Sequence, residues 1–332
     1  MNFLNGTLEK KRKNNLPPKK VIAVIDAGTN TFRLLVSEAT MDGIYNPFLI
    51  DRRIVRLGEN YYSTGMINSN AAKRAISILK GFKRIIDKHS AQDVYVAGTS
   101  IFRDAGNSKK FIKDAEIKTG LSINVLTPDT EAKYSLLGAV SALPSGRNIL
   151  LIDIGGGSTE FTLWSGDKLN FCFSCGLGAV HLYEEFIKHD SPTEEEINSL
   201  DRFIEKTIRK FYNEFKGEIG KVKGLMIFGT AGTVTTLASV LIGLKKFNRS
   251  AVNGYKIEKF KLAGLYRKFT EMTHDERLAL RGMDKGREDL IIPGAAIILI
   301  ALRILKKKII TVTDYSLLEG LAINLINNWR GI

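Results

Sequence analysis

Asn148-Ile-Leu-Leu-Ile-Asp153-Ile-Gly155-Gly156-Gly157-Ser158-Thr159-Glu160 is an apolar run that meets an acid and passes into three consecutive glycines. The run has the length and continuity of a strand buried on both faces. Consecutive glycines lose much conformational entropy on folding, so bare backbone must be required there. The usual requirement is close approach of a ligand or a phosphate. Asp153, at a strand end, is suited to hold Mg²⁺, directly or through water, because that ion takes carboxylates together with phosphate oxygens. Its plainer role is a turn cap. Residues 159–163 read as the returning strand and 168–174 as a third.

The same plan stands earlier in the chain. Val21-Ile-Ala-Val-Ile-Asp26 is again an apolar run ending in an acid, and Ala27-Gly28-Thr29-Asn30 is a tight turn. Residues 31–37 return as a strand, and 48–56 supply a third. Bare backbone at Gly28 lets N–H groups approach an anion. Thr29, Asn30 and Thr31 add side-chain donors, and Arg33 offers a planar fork to phosphate oxygens. On its own this stretch reads equally well as a plain hairpin turn. Strand, acid, glycine turn and strand thus occur twice, which predicts two related α/β domains facing each other.

Two further loops complete the set. Gly229-Thr230-Ala231-Gly232-Thr233 follows a short strand (225–228) and opens a helix, where Gly232 and Thr233 make an anion-ready N-terminus. Gly98-Thr99-Ser100-Ile-Phe-Arg103 follows the strand 94–97. There Thr99, Ser100 and Arg103 suit either phosphate recognition or a helix cap. Neither the Asp153 loop nor the Gly229 loop fits G-x-x-x-x-G-K-[ST], so a P-loop is excluded, and no G-x-G-x-x-G opens a Rossmann unit. Helices are predicted over 70–88, 193–215, 257–273, 289–305 and 315–328, a strand over 308–312, and a linking helix over 131–140. The expected organisation is a flexible basic arm (1–19), a first domain (20–130), a second domain (131–314) and a final helix (315–332) packing back on the first.

The bulk properties agree with a globular protein. Of 332 residues, 44% are hydrophobic and 25% charged, enough apolar content for a packed core. The net charge of +14 favours a polyanionic partner, though solubility alone is the plainer reading. Cys172 and Cys175, the two cysteines, lack the further ligands of a zinc site and lie on a predicted strand. They read as core thiols of a reducing compartment. The apolar stretch 291–301 is shorter than the about 18–20 residues that span a bilayer. With no secretory signal visible, the expectation is a cytoplasmic protein without a membrane.

The combination of motifs resembles the exopolyphosphatase/guanosine pentaphosphate phosphatase (Ppx/GppA) family, within the actin/Hsp70/sugar-kinase superfamily. The resemblance is carried by residues 26–33, 98–107, 153–160 and 229–236. Arg56-Leu-Gly58-Glu59, Leu177-Gly178-Ala-Val180, Asn253-Gly254-Tyr255 and Arg287-Glu-Asp289-Leu-Ile-Ile-Pro293-Gly294 add to it. It covers nearly all of 20–325 and is closest to the short, two-domain members. It implies two actin-like (ribonuclease H-like) α/β domains with an active-site cleft between them, and a catalytic glutamate where they meet. Glu131, in Thr127-Pro-Asp129-Thr130-Glu131-Ala132, takes that place. A carboxylate there can deprotonate a water for in-line attack on a terminal phosphorus; the plainer role is a first-turn helix acid. Three positions depart from the family pattern: Thr130 for a second glutamate, and His181 and Leu318 for arginines.

The resemblance implies Mg²⁺ as cofactor, held by Asp153 with Asp26 and Glu160, and by analogy a monovalent cation such as K⁺. The phosphate-binding set is Gly28, Thr29, Asn30, Thr31, Arg33, Thr99, Ser100, Arg103, Gly155, Gly156, Gly157, Ser158, Thr159, Gly232 and Thr233. The expected substrate is inorganic polyphosphate, with guanosine pentaphosphate, or cleavage of both, as the alternative. A homodimer follows by family analogy, and nucleic acid is the disfavoured polyanion. The rivals are a kinase of the same superfamily and a non-catalytic binder of polyphosphate or alarmone. Arg52-Arg53, 206–210, Lys245-Lys246 and 306–308 are the expected basic surfaces outside the cleft.

Overall fold

The computed structural model describes residues 19–40, 45–143 and 147–330. The basic arm expected over 1–19 lies outside these residues, apart from Lys19.

The first sheet contains β1 (Lys19–Ala27), β2 (Thr31–Thr40), β3 (Tyr45–Ile54), β4 (Asp93–Gly98) and β5 (Ile123–Val125), in the order β3-β2-β1-β4-β5. The second contains β6 (Ile149–Ile154), β7 (Thr159–Ser165), β8 (Lys168–Cys175), β9 (Met226–Thr230), β10 (Lys256–Glu258) and β11 (Ile309–Val312), in the order β10-β11-β9-β6-β7-β8. The expected repetition is present in the registers. β1 runs antiparallel to β2 and parallel to β4, and β6 runs antiparallel to β7 and parallel to β9. Asp26 pairs with Arg33 across the first hairpin and Asp153 with Glu160 across the second.

Each sheet is covered on both faces, which is why the central strands read as continuous apolar runs. One face of the first sheet packs on the helix Ser69–Lys88, through Ala71, Ala75, Leu79, Phe82 and Ile86. Its other face packs on the C-terminal helix Leu317–Arg330, through Leu317, Leu318, Leu321, Ala322 and Ile326. One face of the second sheet buries the helices Glu194–Lys221, Ala231–Ile242 and Ile291–Ile304. Its other face takes Leu136 and Ala139 of the helix Pro128–Ser141.

That last helix starts where the chain leaves the first sheet. Thr127 caps it, accepting from the N–H of Thr130 at 3.2 Å, and Pro128 fills the first turn where no N–H is needed. It crosses the C-terminal helix at glycines. A β-carbon at Gly138 would stand 1.9 Å from Ser316 O, and one at Gly320 1.8 Å from Tyr134 O.

Two expectations need correction. Residues 257–273 do not form one helix: the edge strand β10 comes first and the helix Lys259–Glu271 follows. Cys172 and Cys175 lie on β8 as free thiols, but both are only partly buried.

Candidate active site

The ends of β1, β4, β6 and β9 converge on a cavity of about 410 Å³ between the sheets. The two hairpin turns close with the same bond. Gly28 N–H donates to Thr31 O at 3.0 Å, and Gly155 N–H to Ser158 O at 2.9 Å. The turns then meet. A β-carbon at Gly156 would lie 3.0 Å from Thr29 Cβ, and one at Gly157 only 1.8 Å from Ser100 Oγ. The glycine run is therefore required first by the opposing loop. Thr29 Oγ1 and Ser100 Oγ are 3.2 Å apart, tying the first turn to the end of β4.

Of the residues expected to hold phosphate, Gly28, Thr29, Asn30, Thr31 and Arg33 line the cavity from the first hairpin. Thr99 and Ser100, Gly155, Gly156, Gly157 and Ser158, and Gly232 and Thr233 line it from the other loops. Arg103 and Thr159 are not part of the lining. Thr159 is fully buried and donates its hydroxyl to Leu177 O at 2.6 Å. Arg103 donates through Nη1 to Glu131 Oε2 at 2.6 Å and to Leu126 O at 2.9 Å.

Glu131 projects into the cavity from the first turn of its helix. Burial holds its carboxyl well above the usual range, repulsion from Glu160 adds to this, and Arg103 opposes it. Asp26 and Asp153 also line the cavity, whereas Glu160 stands behind it, accepting from Ser174 Oγ at 2.8 Å. Arg33 donates through Nε and Nη2 to Asp26 Oδ2 at 3.0 and 2.9 Å. Burial raises Asp26 and Asp153. Burial, with repulsion from Asp153, pushes Glu160 up to about 7.

Four buried carboxylates thus face two ion-paired arginines, Arg33 and Arg103. Asp153 and Glu160 have no ion-pair partner among the described residues. An all-oxygen donor set of this kind suits a hard divalent cation. Buried Asn30 Nδ2 has no hydrogen-bond partner among the described residues, which fits an incoming phosphoryl oxygen.

A tighter acidic cluster lies elsewhere. The ligand atoms of His274, Glu288 and Asp289 fall within 4.8 Å of one another, a geometry that could hold a metal ion. Arg56 Nη2 already sits 3.3 Å from Glu288 and 3.1 Å from Asp289, so much of that charge is neutralised.

Sequence reasoning missed part of the lining. Arg52, placed on the outer surface by expectation, lines the cavity and pairs with Asp284. Arg249, Arg287, Asp314, Glu319, Ser135 and Phe247 line it as well. Arg287 donates to Thr31 Oγ1 at 3.0 Å, and burial together with Arg52 lowers it to about 10. Only the fold brings these segments together; Arg287 was visible as part of a motif, without a role.

The model of the Ppx/GppA phosphatase family matches residues 36–328. Exopolyphosphatase 2 of Mycobacterium tuberculosis is 28% identical over 317 residues, covering 92% of this chain and 98% of its own. The crystal structure of an exopolyphosphatase from Cytophaga hutchinsonii superposes with a TM-score of 0.85 at 27% identity, covering 93% of this chain and 98% of that one. The Ppx/GppA family member of Aquifex aeolicus gives 0.77 at 29% identity, covering 94% and 99%.

Proposed function

Because the chain belongs to the Ppx/GppA phosphatase family, and so is a phosphoanhydride hydrolase, we propose that it removes the terminal phosphate of inorganic polyphosphate. The carrying observation is that Glu131 lines the same cavity as both glycine turns. Named relatives that act on polyphosphate support the substrate.

In this reading the terminal phosphoryl lies between the turns at 28–31 and 155–158. Backbone N–H groups, Thr31 and Asn30 Nδ2 hold its oxygens. Glu131 takes a proton from a water aligned with the bond to be broken. Arg103 does not touch phosphate; it holds Glu131 in place. Arg52, Arg249 and Arg287 meet the following phosphates of the chain. Asp153, with Glu160 and Asp26 nearby, would hold Mg²⁺, which would supply charge neutralisation at the phosphoryl group. The domain assignment follows the two sheets, with the C-terminal helix belonging to the first. No described helix is long and apolar enough to cross a membrane, and we place the enzyme in the cytoplasm.

The test is phosphate release from long-chain polyphosphate and from guanosine pentaphosphate in parallel, with Mg²⁺ present. Faster release from polyphosphate supports the reading. Preference for the nucleotide moves the substrate to guanosine pentaphosphate, and release from neither overturns the hydrolase.

A further inference from the structure

Ser135 follows Glu131 by one helical turn, so the two side chains project from the same face of the helix Pro128–Ser141. Both line the cavity, together with Asp153. Ser135 is 1% exposed. Its hydroxyl lies beside the Asp153 carboxyl, yet Oγ has no partner in hydrogen-bonding geometry among the described residues.

The neighbouring hydroxyls differ. Thr29 and Ser100 pair with each other, Thr159 donates to Leu177 O, and Ser174 donates to Glu160. A buried hydroxyl without a partner is destabilising, and native structures keep few. Alanine would occupy the same helical position without that penalty and with better helix propensity. A serine aimed into the cleft therefore finds its partner among the cleft's contents.

We infer that Ser135 Oγ is the second anchor of the attacking water, with Glu131 the first. This rests on the phosphohydrolase reading. A hydroxyl offers one donor and two acceptor sites. One O–H of the water points to Glu131 and the other to Ser135 Oγ, which leaves a lone pair for phosphorus. In the step, the water oxygen–phosphorus bond forms and the bridging P–O bond breaks. The water proton passes to Glu131, and the shortened chain leaves with the electron pair. Ser135 is neither protonated nor esterified. Its contribution is alignment, which a water held by a single bond lacks.

The experiment compares Ser135→Ala and Ser135→Thr with wild type in kcat, KM and Tm, using polyphosphate and Mg²⁺. The expected result for Ser135→Ala is a kcat lower by about tenfold, the worth of one hydrogen bond in the transition state. KM is expected to hold, and Tm to hold or rise because a buried unpaired hydroxyl has gone. Ser135→Thr keeps the hydroxyl and recovers most of kcat. An unchanged kcat in Ser135→Ala overturns the inference. So does a loss accompanied by a lower Tm, which marks a structural hydroxyl, or an equal loss in folded Ser135→Thr, which marks side-chain volume. Wild type without phosphate release is the different failure, that of the hydrolase reading itself.

Discussion

At the scale of single residues, the site is governed by buried carboxylates that would otherwise keep their protons. Glu131 is held up by burial and pulled back by Arg103 at 2.6 Å. Replacing Arg103 by alanine removes that opposing cation, so Glu131 ionises only at higher pH. The acid limb of the kcat–pH profile is expected to move upward in Arg103→Ala, and a limb that stays in place contradicts the ion pair's role. Glu160 supports a second expectation, for the metal-free protein. Its folded carboxyl keeps a proton up to about pH 7, against an ordinary 4.5. The folded state therefore binds more protons in that window, and stability falls as pH rises through it. Melting curves in chelator should show Tm declining between these values, Mg²⁺ should flatten the decline, and Glu160→Gln should lessen it. The sequence carried these residues unevenly. Asp153 announced itself through the glycines beside it, but Glu131 sits in an ordinary helix start and was found only through family resemblance. Arg103 stood out as an arginine after a strand end, yet nothing local says that its partner is a carboxylate 28 residues on.

Among the elements, close packing of helices explains glycines that no turn requires. Gly138 and Gly320 lie where the Glu131 helix crosses the C-terminal helix, and a β-carbon at either would overlap backbone. Alanine at either site should destabilise the protein by about 1–3 kcal/mol or more, read from urea or thermal melts. Gly217, in the helix Glu194–Lys221, has open space where its β-carbon would be, and Gly217→Ala should stabilise by up to about 1 kcal/mol. Similar responses at the three sites would contradict the crossing. The strands and long helices were legible because periodicity and continuous apolar runs reflect burial directly. The strand Lys256–Glu258 was not, since three residues at a sheet edge are too few to display a period.

For the whole molecule, the two sheets are joined on one side by a short segment of the first that grips the second. Glu184 accepts from the N–H of Asn60 at 2.6 Å and from that of Tyr62 at 3.3 Å. The Tyr62 ring stacks on His181 with centroids 4.2 Å apart. These contacts hold the two glycine turns against each other. Glu184→Ala should loosen them, giving a larger radius of gyration by X-ray scattering and a higher KM; an unchanged KM would separate closure from substrate binding. His181, noted in the sequence as a departure from the family arginine, thus has a packing role that spacing alone could not disclose.

On the proposed reading, Glu131 activates the water in a cleft that grips phosphate independently of it. This is tested most directly by measuring kcat and polyphosphate affinity for Glu131→Gln, which keeps shape and removes the base. The expected result is a kcat lower by roughly 10²–10⁴-fold with binding retained. A variant that still releases phosphate at near the wild-type rate would contradict it.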